Sequence, residues 1–305
     1  MKKLMIGSAI ALCAAVGASA LESAKTVGYQ DIPLNDDGFS IVGASFINVG
    51  ATGANTGLHV TDIKIKGYLD HEGFQDAGTD GDFTMMIIDN DGRGVHTYGY
   101  VHEWDWDTGA WAAAGGKWYD VQAGEFVTAG GALDIVIPAG QGLFFSAPTF
   151  DDGDTTAGNT FVVGNSGEVY QQTVPFVIND DGFTCIANPY PTGVKVSTVK
   201  VSGYLDHEGF QDAGTDGDFT MMVIDNDGRG VHTYGYVHEW DWDTGTWAVA
   251  PKWYDVQAGD FVVADGALDY ALPGGQGLFI SAPTYDDGDT TASAEFTFTF
   301  YYPAN

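Results

Sequence analysis

Aspartates in short loops are the first groups in this sequence with a chemistry to offer. Asp76-Ala77-Gly78-Thr79-Asp80-Gly81-Asp82, Asp89-Asn90-Asp91 and Asp151-Asp152-Gly153-Asp154 each hold several hard oxygens within one turn. Calcium takes about six to eight such oxygens at roughly 2.3–2.6 Å. The EF-hand spacing is not met. Counted from Asp76, the third position is Gly78 and the twelfth is Ile87, where a bidentate Glu belongs; counted from Asp89, Arg93 and Tyr100 fall at ligand positions. What the spacing allows is a looser loop site for Ca2+, combining Asp76, Asp80 and Asp82 with Asp89 or Asp91. A second copy of the same loops supplies Asp212, Asp216, Asp218, Asp225 and Asp227. Asp-Gly and Asn-Asp-Gly are also ordinary hairpin turns, so the sequence leaves both roles open.

Aromatic residues are the second group. From Val95 to Trp106 the alternation puts His96, Tyr98, Tyr100, His102, Trp104 and Trp106 on one face of a strand. Such a row can stack on sugar rings, or it can be the core face of a sheet. Tyr98 and Tyr100 are assigned to the core. Trp104, Trp106 and Trp111, with their copies Trp240, Trp242 and Trp247, are the candidate ligand contacts. A shared transition metal is not expected, because His96 and His102 lie about 20 Å apart along an unbroken strand. Catalysis has little to stand on. There is no Gly-x-Ser-x-Gly elbow and no His-Glu-x-x-His, and Cys185 has no counterpart in the first copy. The expectation is a non-enzymatic protein.

The elements that must position these residues come in duplicate. Gly67 to Trp111 matches Gly203 to Trp247 over 45 positions with two differences, Ile87 against Val223 and Ala110 against Thr246. Lys117-Trp118-Tyr119-Asp120 recurs as Lys252-Trp253-Tyr254-Asp255, and Gly140-Gln141-Gly142-Leu143-Phe144 recurs as Gly275 to Phe279. Upstream, Asn35-Asp36-Asp37-Gly38-Phe39 recurs as Asn179 to Phe183. Each unit reads as short apolar runs punctuated by Gly, Asp and Asn, without sustained helical periodicity. Phe83 to Ile88 reads as a buried strand. The expected fold is all-β: two tandem antiparallel β-sandwich domains of jelly-roll or immunoglobulin-like type, residues 21–170 and 171–305, behind a signal peptide at 1–20.

That leader rests on Met1-Lys2-Lys3, the apolar run Leu4 to Val16, and the small residues Ala18-Ser19-Ala20. It predicts an exported protein, secreted or on the cell surface, with no later helix able to enter a membrane. The whole chain carries 11 Lys+Arg against 42 Asp+Glu. Without Lys2 and Lys3 the balance is 9 − 42 = −33, which leaves no basic stripe for nucleic acid. Such a chain calls for cations, bound or free, to relieve its self-repulsion. With Cys13 in the leader, Cys185 stands alone and no internal disulfide can form.

The order Val27-Gly28-Tyr29, Gly38-Phe39, Asp91-Gly92, Lys117-Trp118-Tyr119-Asp120, Gly140-Gln141-Gly142-Leu143-Phe144 and Ser166-Gly167-Glu168-Val169 resembles a group of secreted tandem β-repeat proteins from environmental and gut bacteria. The resemblance covers nearly all of the mature chain and implies export and repeat architecture. The second copy departs from it, ending in Phe296-Thr297-Phe298-Thr299-Phe300 without the Ser-Gly-Glu-Val turn. Two functions follow as expectations. The first is a cell-surface or matrix protein that associates with copies of itself, assisted by calcium. The alternative is a carbohydrate-binding or adhesion module that takes extracellular polysaccharide on its two Trp-rich sites.

Overall fold

The structure, a computed structural model, describes residues 27–34, 38–47, 57–66, 83–88, 95–101, 104–105, 108–111, 116–147, 161–178, 183–202, 219–224, 231–237, 240–241, 243–247, 250–281 and 296–302. Among the described residues the regular elements are antiparallel strands, with two single-turn 3-10 helices, Val60–Asp62 and Val196–Thr198. The chain is all-β.

In the first repeat six strands pair in the order Glu125–Phe126, Lys117–Asp120, Val95–Val101, Phe83–Ile88, Gly142–Ala147, Gly38–Gly43. A smaller sheet is built on Phe161–Val169, which pairs with Val27–Leu34 on one side and with Phe46–Ile47 and Lys64–Lys66 on the other. The second repeat reproduces the large sheet from Asp260–Phe261 through Lys252–Asp255, Val231–Val237, Phe219–Ile224 and Gly277–Ser281 to Phe183–Ala187. Its small sheet has Phe296–Phe300 between Val174–Ile178 and Lys200–Ser202. The C-terminal strand therefore pairs within its own repeat, with Phe298 and Phe300 fully buried.

Period-two alternation decides what is inside. Phe83, Met85 and Ile87 are buried while Thr84, Met86 and Ile88 are half-buried, so this strand covers a core on one face rather than lying buried on both. Across from it, Tyr98 and Tyr100 join the same core, as the sequence suggests. Two separate cores result. One gathers Ile32, Leu34 and Val163 from the small sheet with Met85, Tyr98, Leu143 and Phe145 from the large one. The other does the same with Phe176, Phe298 and Phe300 against Met221, Tyr234, Leu278 and Ile280. Each core has a Trp whose indole N–H finds a carbonyl: Trp118 donates to Ile63 at 3.0 Å and Trp253 to Val199 at 3.0 Å. An indole buried without such a partner would cost about 1–3 kcal/mol.

The two repeats meet along the edge strands Gly38–Gly43 and Phe183–Ala187, and the contact is two-fold in character. Gly43 N–H donates to Gly275 O at 2.9 Å, and its sequence equivalent Ala187 donates to Gly140 O at 2.8 Å. Val42 bridges to Gln276, and Ile186 to Gln141. The duplicated Gly-Gln-Gly turn thus hooks each repeat onto the other. Gln141 amide N–H groups donate to the carbonyls of Ile88 and Cys185, both at 3.2 Å, so one side chain ties a turn of the first repeat to a strand of the second. Glycine is needed because the backbones touch. A Cβ on Gly277 would stand well under 3.0 Å from the Ile41 backbone, and one on Gly43 would overlap Ala187.

The ends of this joint differ. Beneath the turn at Gly274 and Gly275 lie Gln30 and Ser45, with Asn165 opposite Gln30; Gln30 donates to Gly274 O at 2.7 Å, and Gln30 Oε1, Ser45 Oγ and Asn165 Oδ1 are buried without hydrogen-bond partners among the described residues. At the other end the equivalent positions are Val174, Pro189 and Phe300, all apolar.

Candidate functional site

The aspartates proposed for calcium, Asp76, Asp80, Asp82, Asp89, Asp91, Asp212, Asp216, Asp218, Asp225 and Asp227, lie outside the described residues, as do Trp106 and Trp242. Among the described residues there is no group of three or more His, Cys, Asp or Glu that could hold a metal ion. Four of the candidate tryptophans sit on two-stranded hairpins. Trp104 is directly opposite Trp111, and Trp240 opposite Trp247, so the backbone brings each pair to neighbouring positions.

A constellation that sequence reading missed lies at the open end of each core. His96 Nε2 donates to Asp120 Oδ2 at 2.7 Å, and His232 Nε2 to Asp255 Oδ2 at 2.7 Å. Strand register sets this up. Asp120 lies opposite Tyr98 on the next strand, two residues along from His96 on the same face. The carboxylates are nearly fully buried while the imidazoles are about 40% exposed, at 37% and 43%. The other carboxylate oxygen accepts a backbone N–H, from Ala123 to Asp120 at 2.8 Å and from Ala258 to Asp255 at 2.9 Å. Burial pushes the Asp120 carboxyl up, but the hydrogen bonds from Ala123, His96 and Gln122 outweigh it and hold the group below the usual carboxylate range. An ionised Asp120 accepts from the ring, which places the imidazole proton on Nε2 and leaves Nδ1 as the acceptor when the ring is neutral. Each ring also packs on the tyrosine two residues on, with centroids 4.7 Å apart for His96–Tyr98 and 4.8 Å for His232–Tyr234.

These tyrosines are buried, and desolvation, with nearby aspartates adding to it, pushes both hydroxyls far above their ordinary range. They remain neutral donors at any physiological pH. Tyr98 reaches Leu133 O only at 3.5 Å, a long contact, and Tyr234 has no hydrogen-bond partner among the described residues.

In the second repeat this end opens into a groove of 410 Å3, lined by Val231, His232, Tyr234, Asp255, Leu268 and Tyr270 among others. Among the described residues no serine, threonine or cysteine lines it. The histidine is oriented as a general base would be, and the hydroxyls that line the groove with it among the described residues are the phenols of Tyr234 and Tyr270. What the groove offers is hydrogen bonding at its floor and an exposed aromatic ring at its rim.

Two other repeated aspartates are structural. Asp134 accepts from Thr61 N, Thr61 Oγ1 and Gly130 N at 2.9–3.0 Å. Asp269 accepts from Ser197 N, Ser197 Oγ and Asp265 N at 2.8–2.9 Å. They clamp the loop before the hook to the single-turn helix of the same repeat.

The open faces of the large sheets carry a second repeated feature. Phe39 lies 4.9 Å from Phe144, and Phe183 lies 4.6 Å from Phe279, ring centre to ring centre. Phe39 and Phe183 are 53% and 51% exposed, and Val95 and Val231 stand about equally open on the same faces. Comparison with protein-family models, with curated proteins and with solved structures finds no match for this chain.

Proposed function

We propose that the chain is an exported, non-enzymatic cell-surface or matrix protein that works by associating with copies of itself, each repeat being an antiparallel β-sandwich. The observation that carries this reading is the pair of exposed phenylalanine patches, one per repeat. A face used twice on one chain lets each molecule contact two neighbours, and contacts of that kind propagate. Half-exposed Phe side chains that become covered contribute on the order of 1 kcal/mol each, so a patch with Met86 or Met222 on the neighbouring strand supplies a weak but repeated contact. The net charge of −33 for the mature chain opposes such contact. Calcium held between Asp loops of adjacent molecules offsets it, which is the role proposed for Asp76, Asp80, Asp82, Asp89 and Asp91 and their copies.

The test is size exclusion with light scattering on the mature chain, in calcium and then in chelator at matched ionic strength. Large species that form in calcium, and that Phe39→Ser with Phe183→Ser prevents, support the reading. A monomer in both buffers refutes it. Growth that ignores the phenylalanines assigns assembly to another surface.

A further inference from the structure

The two His–Asp–Tyr ends differ at two of the positions that line the groove: Val223 stands where the first repeat has Ile87, and the second difference is at the rim. Where the second repeat has Tyr270, 42% exposed, the first has Ile135, 36% exposed. Both follow the clamped aspartate, Asp269 or Asp134, so the backbone that presents them is the same. In the second repeat, then, a flat aromatic ring stands over a groove whose floor holds two hydrogen-bonding atoms with complementary roles. Tyr234 is 1% exposed, lines the groove, and its hydroxyl has no protein partner among the described residues. His232 lines it too, with Nε2 taken by Asp255 and Nδ1 making no hydrogen bond among the described residues.

The Tyr234 hydroxyl is not one of the buried polar atoms left without a partner, so it is open to water from the groove, and a ligand that supplies an acceptor takes that water's place. Next to it, a neutral imidazole Nδ1 asks for a donor. A group that both accepts and donates at adjacent positions is a hydroxyl, and two neighbouring hydroxyls on a saturated ring satisfy both atoms at once. The C–H face of such a ring packs on the Tyr270 aromatic face. Among the described residues the rest of the lining is Asp255, whose carboxylate is held by His232 and Ala258, and apolar side chains including Val231 and Leu268, with no cation for an anionic ligand. At 410 Å3 the groove is at the small end of ligand pockets, which run about 300–1,000 Å3.

We propose that the groove of the second repeat binds a single neutral pyranose ring, with Tyr234 Oη and His232 Nδ1 on vicinal hydroxyls and Tyr270 against the ring face, and that the first repeat does not because Ile135 replaces that tyrosine. This site is independent of self-association, and it is distinct from the tryptophan hairpins.

The test uses the full mature chain and the methyl pyranosides of glucose, galactose and mannose, followed by protein-observed NMR. At least one glycoside is expected to shift resonances around His232, Tyr234 and Tyr270, with one ligand per chain, and to leave those around His96, Tyr98 and Ile135 in place. Tyr270→Ile is expected to weaken binding at least tenfold, and Ile135→Tyr to add a second site. Both positions are partly exposed, so an unchanged unfolding midpoint shows that the variants fold. No shift with any of the glycosides overturns the proposal. So do equal shifts in both repeats, shifts confined to the Trp104 and Trp240 hairpins, or undiminished binding by Tyr270→Ile.

Discussion

Replacing Gly277 by alanine probes the joint between the repeats most directly. The added Cβ meets the Ile41 backbone carbonyl and its side chain at well under 3.0 Å, and backbone cannot swing aside as a flexible side chain can. Overpacking of this kind costs about 1–3 kcal/mol when side chains absorb it. Here the local escape is to part the strands Gly38–Gly43 and Gly277–Ser281, which loosens the hydrogen bonds Gly43 N–H to Gly275 O and Ala187 N–H to Gly140 O. Each such bond contributes about 1 kcal/mol. Ile41 and Cys185, both fully buried, also gain access to water. A loss of about 3 kcal/mol follows, close to a hundredfold in an opening equilibrium. Hydrogen exchange at the Gly43 and Ala187 amides reads it residue by residue. Their protection is expected to fall about a hundredfold, while the Met85 and Met221 amides in the centres of the large sheets stay protected. Gly193→Ala is the control, since a Cβ there meets Ala271 Cβ at 3.5 Å and Leu272 O at 3.6 Å, ordinary contacts. Wild-type protection at Gly43 and Ala187 in the Gly277→Ala protein would refute the close approach and the joint built on it.

Three further outcomes are expected. Asp120 and Asp269 both sit below the usual carboxylate range, so their contribution is fully present above the unfolded carboxyl value near 3.9 and is lost as pH falls through the folded value. The urea midpoint should fall as pH drops below about 4, and Asp120→Asn should flatten that slope. Asp269→Ala strips acceptors from Ser197 N–H and Asp265 N–H and should cost about 2–4 kcal/mol by urea unfolding, with Asp134→Ala losing a similar amount. Cys185 is fully buried at the joint and burial raises its thiol to about 12, so it should resist thiol reagents in the native protein. Gly277→Ala should open it to reagent well before global unfolding; equal inertness in both proteins would argue against a parted joint.

Much of this was legible in the residues. The duplication, the all-β class and the assignment of Tyr98 and Tyr100 to the core follow from an alternation that burial enforces, since a one-residue slip would send Thr97 and Gly99 inward. The His–Asp pairs were not read, although both partners recur in each copy. His96 and Asp120 are 24 residues apart, and only strand register brings them together. The verbatim Lys-Trp-Tyr-Asp was the available signal, an acidic residue ending an otherwise aromatic strand. Gly-Gln-Gly looked like a turn and is one. Its second role, seating one repeat on the other, depends on contacts between units that spacing within a unit does not contain.

The joint also bears on how the two copies have been free to drift apart. In a symmetric dimer of single repeats, every substitution at the contact appears twice, and both ends must tolerate it. Joining the copies in one chain removes that constraint. Gln30, Ser45 and Asn165 occupy one end of the joint while Val174, Pro189 and Phe300 occupy the other, and Ile41 on one edge strand answers Cys185 on the other. A polar trio with unpartnered oxygens imposed at both ends would double its burden. Confined to one, it is carried by a partner end packed entirely with carbon. Covalent linkage lets the two halves of a repeated surface carry different residues, and Tyr270 against Ile135 is the same freedom exercised elsewhere in the molecule.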